Sequence, residues 1–210
     1  MSVEHVEVLV EEPSMEALLR ALLPRLVGSL SFDVYQHQGK HDLLKRLPGR
    51  LRGYASWLSP SWRIIVVVDR DDDDCLKLKA DLDRFAVEAG LATRTSVAGG
   101  PYAVVNRLAI EELEAWYFGD WAAVRSAYPG VPAGIPRQAR YRVPDAIPGG
   151  TSEGFERILR RSGYFTTGLR KIEAASTISP HLDPEANRSQ SFQALRAALL
   201  EVATEAGQPQ

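Results

Sequence analysis

The sequence predicts an α/β fold: a mainly parallel sheet flanked by helices, with a helical extension following it. Three observations predict this. Ile64, Ile65, Val66, Val67 and Val68 form an unbroken β-branched run, apolar on both faces, which suits the middle of a helix-covered parallel sheet. That run changes at once to acid, in Asp69-Arg70-Asp71-Asp72-Asp73-Asp74. Strand-like and helix-like stretches alternate from Val3 to Leu108 in the order βαβαβαββ, the pattern of α/β proteins.

Val3 to Val10 reads as the first strand, ending in Glu11-Glu12-Pro13-Ser14. Ser14 is placed to cap a helix that carries Met15, Leu18, Leu19, Leu22, Leu23 and Leu26 on one stripe. Ser31 to Gln36 reads as a short second strand. His37-Gln38-Gly39-Lys40-His41 follows, with both histidines read as surface residues. A basic helix, or pair of helices, then carries Lys45, Arg46, Arg50 and Arg52. That run is a candidate surface for phosphates, with a solvated helix face as the alternative. Gly39-Lys40 lacks the spacing of a phosphate-binding loop.

Beyond the acidic step, Leu78, Leu82, Phe85, Ala86 and Ala89 mark an amphipathic helix that stops at Gly90. Thr93 to Val97 reads as a fourth strand and Tyr102 to Leu108 as a fifth. Ile110 to Asp120 reads as a helix. At about 100° per residue, Glu114 falls on the apolar face between Ile110 and Phe118, while Glu112 points away. Gly130 to Gly150, rich in Pro and Gly, reads as a long loop or lid with Arg137, Arg140 and Arg142 around Tyr141. Short helices are expected over Ser152 to Arg161 and from Lys171 to Ile178. A final helix from about Pro184 carries Phe192, Leu195, Leu199 and Val202, and Gly207 to Gln210 is expected to fray. Residues 1–125 are read as the α/β core and 126–210 as a loop-rich, helical extension packed on it, one domain overall.

The 210 residues are 45% hydrophobic and 25% charged, ordinary for a globular protein. A net charge of -2 means that nucleic-acid binding requires local basic patches. Cys75 is the single cysteine, which excludes a disulfide within the chain and a cysteine-based zinc site and fits a reducing cytosol. No signal peptide or membrane span is visible.

Ligands of open α/β sheets sit just beyond the carboxyl ends of the strands. Asp69 and Asp71 lie there, two apart, so near a strand end they point the same way. Two carboxylates on one side repel unless a cation lies between them, and a hard divalent ion bound by oxygen is the natural candidate. Asp72, Asp73 and Asp74 are read as capping the next helix. Glu114, a carboxylate facing inward, requires a partner or a metal.

Glu11 after the first strand, Asp69 with Asp71 after the third, and Glu114 on a later helix resemble the TOPRIM domain. In that domain a Glu after the first strand and a DxD after the third bind Mg²⁺ for phosphoryl transfer. The stretches LVEEPSMEALL, HQGKHDLLKRLPGRLRGY, VVVDRDDDDC, IEELEAWYFGD and NRSQSFQALRAAL resemble successive blocks of an uncharacterised bacterial family with a TOPRIM-like (Rossmann-like) fold. The resemblance implies Glu11 as the first-strand acid, Asp69 and Asp71 as the DxD and Glu114 as a further acid. It implies Mg²⁺ or Mn²⁺ as cofactor. It also implies an ABC- or SMC-like ATPase partner and a role in anti-phage defence. Glu12 stands where the family has Gly directly after the first acid, adding charge and bulk.

The expected function is a metal-dependent nuclease in the cytoplasm, with nucleic acid as substrate and no membrane partner. Lys40 and Lys171 are candidates for stabilising transition-state charge. The alternative is a non-catalytic subunit of an ATPase complex. A receiver domain fits less well, because it places its acid pair after the first strand.

Overall fold

The computed structural model describes residues 2–207. Four strands, β1 (His5–Val10), β2 (Ser31–Gln36), β3 (Trp62–Asp69) and β4 (Val104–Ala109), form one sheet in the order β2-β1-β3-β4. Every pairing is parallel, with His5 opposite both Ser31 and Trp62, and Ile64 opposite Val104. The strands are joined by α1 (Pro13–Val27), α2 (Lys40–Trp57) and α3 (Cys75–Glu88).

Strand alternation sorts the core into two halves. Val6, Val8 and Val10 of β1 and Ile65 and Val67 of β3 pack with Leu18, Leu19, Leu22 and Leu23 of α1. On the other face, Leu9, Ile64, Val66 and Val68 pack with Leu43, Leu47 and Leu51 of α2 and Leu78 and Leu82 of α3. The β-branched run of β3 is fully buried on both sides. α2 is one helix, running through Pro48.

After β4 the chain forms α4 (Glu114–Gly119), α5 (Trp121–Ala127), α6 (Thr151–Arg161), α7 (Lys171–Ile178) and α8 (Gln190–Gly207). Their buried faces, including Trp116, Phe155, Ile178, Phe192 and Leu199, join the α1 half of the core. α8 is tied to β3 by the ion pair Arg63–Glu205 (2.9 Å) and to the turn before β4 by Arg94–Glu201 (2.8 Å). Among the described residues no helix is long and apolar enough to cross a membrane. The fraying expected of Gly207 to Gln210 concerns mainly 208–210, which lie outside the described residues.

Several local expectations are corrected. Thr93 to Val97 is not a strand: Thr93 makes one isolated bridge to Val104, then the chain turns. Thr93 and Ser96 exchange backbone and hydroxyl hydrogen bonds of 3.0 Å, and such local bonds compete with a sheet ladder. Ser14 is not the cap of α1. Glu12 occupies the cap position, Pro13 the first helical position that proline favours, and the buried Ser14 hydroxyl donates to the Glu12 carboxylate. His37 is buried, with Nδ1 2.9 Å from the Val10 carbonyl; His41 is exposed as expected. The loop of Gly130 to Gly150 is no open lid. It buries Ile135, Tyr141 and Ile147, and Tyr141 stacks on Phe118 at 5.2 Å between ring centres. The last helix begins at Gln190 rather than near Pro184.

Candidate metal centre at the strand ends

The connections out of β1 and β3 diverge. β1 leads through α1 to β2 on one side, and β3 leads through α3 to β4 on the other. The order therefore reverses between β1 and β3, and ligands of doubly wound sheets bind in the crevice at such a reversal, beyond the carboxyl ends. Glu11 directly follows β1, and Asp69 is the last residue of β3. Val10 pairs with Val67, so the two acids meet across the crevice, where the Asp69 N–H donates to Glu11 Oε2 at 3.2 Å.

Asp69 is 4% exposed, and its Oδ1 has no hydrogen-bond partner among the described residues. Burial, then the charges of Glu11, Glu114, Glu12 and Asp71, holds its carboxyl well above the usual range. Glu11 is pushed up to about 7 by burial; the Asp69 N–H opposes the shift. Glu114 is 1% exposed, and its Oε2 is also without a partner. Burial pushes it up to about 7 against the pull of Lys171.

The helix expected over Ile110 to Asp120 starts only at Glu114. Glu111 adopts φ 64°, a left-handed turn that few residues without Gly's freedom take, and this breaks the pattern before the helix. Ile110 consequently packs against the α2 half of the core, away from Phe118. Glu112, outside the helix, accepts from Ser152 N at 2.8 Å and Thr151 Oγ1 at 3.1 Å, at the start of α6.

Asp69 and Asp71 do not point the same way. β3 ends at Asp69, and Asp71 has φ 48°, so strand alternation no longer applies. Asp71 is exposed and its Oδ2 lies 2.6 Å from Lys40 Nζ. The same ammonium reaches Asp73 Oδ2 and the Arg70 carbonyl, each at 2.9 Å. Burial disfavours the Lys40 charge, but these acids outweigh it and raise the pKa. Asp74 alone caps α3, accepting from Lys77 N at 2.8 Å. Asp72 faces a cleft of about 560 Å³, lined also by Glu111, Gly150 and Glu153.

Lys171 stands opposite. Its Nζ is 3.9 Å from Glu114 Oε1, 3.9 Å from Glu112 Oε1 and 4.0 Å from Glu12 Oε1. Burial works against its charge, yet Glu114, Glu12 and Glu112 keep its pKa above the usual lysine range. Glu12 has φ -142° and ψ 163°, extended backbone open to any residue, so the chain there does not need glycine's conformational freedom.

The fold thus brings Glu11, Asp69 and Glu114 into one field, flanked by Lys171, and leaves Asp71 at the rim with Lys40. The unpartnered oxygens of Asp69 and Glu114 are donors of the kind a hard cation takes, and a cation among these acids would offset the penalty on their charged forms. Among the described residues, however, the trio whose ligand atoms lie within 4.8 Å of one another is elsewhere: His5, Glu7 and Asp33. Their signal in the sequence was the two-residue spacing of His5 and Glu7, which gives both one strand face.

A family model matches residues 10–200 of this chain. The chain belongs to the DUF4276 family. The family's description is "Domain of unknown function". The matched part of this DUF4276 chain contains Glu11, Lys40, Asp69, Asp71, Glu114 and Lys171, while His5 and Glu7 precede it. Neither a curated protein nor a solved structure matches the chain.

Proposed function

We propose that this DUF4276 chain is a Mg²⁺- or Mn²⁺-dependent nuclease of TOPRIM-like type, hydrolysing phosphodiester bonds at the carboxyl edge of its sheet. The observation that carries the reading is the pair of buried, unpartnered carboxylate oxygens, Asp69 Oδ1 and Glu114 Oε2, beside Glu11 at the reversal of strand order. Glu11, Asp69 and Glu114 would hold the cation, with Asp71 joining once it leaves Lys40. When bound, the ion supplies positive charge to a phosphate oxygen and acidity to a water.

The chain's own groups do the rest. The Asp69 N–H holds one oxygen of Glu11 in place. Glu11, held in this way, would present its other oxygen to the ion, whose charge would favour the carboxylate form. Lys40, held by Arg70 O and Asp73, sets a positive charge at the rim where a scissile phosphate would lie. The neighbouring cleft is acidic, with Asp72, Glu111 and Glu153, and would repel a phosphate backbone unless a cation masked it. Nucleic acid is the proposed substrate, and an ABC- or SMC-like ATPase the proposed partner in anti-phage defence. The test is cleavage of single- and double-stranded DNA and RNA with Mg²⁺ or Mn²⁺, with and without the ATPase. Cleavage lost in Asp69→Asn supports the reading; cleavage unchanged in that folded variant removes it.

A second reading, a non-catalytic subunit of the ATPase complex, is favoured by Lys40 and Lys171. These two lysines already supply counter-charge to Asp71 and Glu114. On this reading Asp69→Asn/Asp71→Asn still captures the ATPase and no cleavage is found.

A further inference from the structure

A second group of metal-ligating atoms lies across the sheet, on the face covered by α2. His5 and Glu7 share that face of β1, and Asp33 stands opposite Glu7 on the edge strand β2. His5 Nε2 is 3.3 Å from Glu7 Oε1 and 3.8 Å from Asp33 Oδ2. All three ligand atoms lie within 4.8 Å of one another. Ligand atoms around a tetrahedral zinc are separated by about 3.4 Å, given bonds of roughly 2.0–2.1 Å. The imidazole and Glu7 already have that spacing, and the remaining separations, up to 4.8 Å, would close to seat an ion.

The hydrogen bonds around it favour positive charge at Nε2. The Ser31 hydroxyl has one hydrogen, and donates it to the Glu4 carbonyl at 2.8 Å. Ser31 Oγ must then accept from His5 Nδ1, also at 2.8 Å. With its proton on Nδ1, a neutral imidazole offers the lone pair of Nε2 to a metal. Two carboxylate oxygens lie beside Nε2, a setting that favours a positive centre there, either a bound ion or the second proton of an imidazolium. Glu7 is 4% exposed, and among the described residues no Lys or Arg lies within ion-pair distance of it or of Asp33.

The surroundings are those of a built site. Tyr54 donates to the other Glu7 oxygen, Oε2, at 2.7 Å, which turns Oε1 toward the imidazole. Ser31 fixes the imidazole from its far side, as supporting hydrogen bonds do for metal-bound histidines. Asp33, with a side chain 55% exposed, opens the group to solvent at the sheet edge. Beside it lies a cavity of about 320 Å³ lined by Glu7, Tyr35, Arg50, Tyr54 and Trp57, with room for a further ligand.

We propose that His5 Nε2, Glu7 Oε1 and Asp33 Oδ2 form a transition-metal site, with Zn²⁺ as its occupant and solvent completing the coordination. One imidazole with two carboxylates suits Zn²⁺ better than Mg²⁺, which prefers oxygen alone. This site is independent of the acids at the carboxyl ends of β1 and β3.

The test is calorimetry of the full chain with Zn²⁺, comparing wild type, Asp33→Asn, Tyr54→Phe and Asp69→Asn. Because Asp33 is exposed, Asp33→Asn leaves the core intact. At least one Zn²⁺ is expected in the wild type, the trio's being the one that Asp33→Asn weakens. Asp33→Asn is expected to weaken it by more than about 100-fold, and Tyr54→Phe by roughly 10-fold, the scale of a lost supporting hydrogen bond. Asp69→Asn, which disables the acids of the other centre, is expected to keep the Zn²⁺ that Asp33→Asn loses. No Zn²⁺ uptake by the wild type overturns the proposal, as does uptake indifferent to Asp33→Asn or abolished by Asp69→Asn.

Discussion

The backbone N–H of Asp69 donates to the side chain of Glu11 at 3.2 Å, joining the last residue of β3 to the first residue after β1. One acid is thereby anchored by the backbone of the other. The anchoring satisfies a Glu11 oxygen without neutralising either charge, so the carboxylates stay crowded and buried at the reversal of strand order.

That crowding gives stability a specific pH dependence. Glu11 and Glu114 are each raised from 4.5 to about 7, so between those values the folded chain binds more protons than the unfolded chain. Their contribution is fully present below about 4.5 and is lost as pH rises through about 7. Urea denaturation of the metal-free protein is expected to show stability falling across this window. The slope should flatten in Glu11→Gln/Glu114→Gln. An equal slope in wild type and variant would contradict the assignment.

Lys171 offsets the Glu114 charge, and removing it is expected to matter most at high pH. Lys171→Met should cost about 1–2 kcal/mol at pH 8. That is less than a fully buried pair, because the lysine side chain is 36% exposed. At pH 5, where Glu114 is protonated, the cost should shrink. Denaturation of wild type and variant at both pH values checks this, and a pH-independent cost would show that Lys171 acts through packing alone.

Lys40 pins the acidic turn through Asp71, Asp73 and the Arg70 carbonyl. Lys40→Met is expected to cost no more than about 1 kcal/mol in global stability, since both acids are about half exposed. Its main effect should be local. Amide exchange at Asp71 and Asp73 is expected to accelerate while β3 stays protected. Unchanged exchange would mean that the turn holds itself.

Gly119 closes α4 where a Cβ would sit 2.0 Å from Asn187 Oδ1 and 2.9 Å from Ser189 N. Asn187 is buried, with its amide on the Trp116 carbonyl at 2.9 Å, and cannot give way cheaply. Gly119→Ala is expected to lower stability by about 1–3 kcal/mol, as overpacking does. Thermal melting checks this, and an unchanged midpoint would mean that the Asn187 loop yields freely.

The sheet was legible where burial decides conformation. The run from Ile64 to Val68 had to be a central strand, and the leucine stripe of α1 had to face it. The inward position of Glu114 was also legible, though for an incomplete reason: it opens its helix instead of lying within one. What the sequence concealed was decided by short-range polar bonding and backbone turns. Thr93 and Ser96 bond to each other and end a strand before it forms. Positive φ at Asp71 and Glu111 re-aims side chains that simple periodicity would align. Lys171 could be named from the sequence only as one lysine among several; its place beside three glutamates depends on α7 packing against α1, a contact between distant segments. His5, Glu7 and Asp33 went unnoticed as a group, because pairing of β1 with β2 brings them together.

The central claim is that Asp69 and its neighbouring acids hold a divalent ion. The most direct measurement is calorimetry with Mn²⁺ and Mg²⁺ in an Asp33→Asn background, which removes the β1–β2 trio from the comparison. Binding that disappears on adding Asp69→Asn is the predicted result. Binding indifferent to Asp69→Asn, or none before it is introduced, would contradict the account.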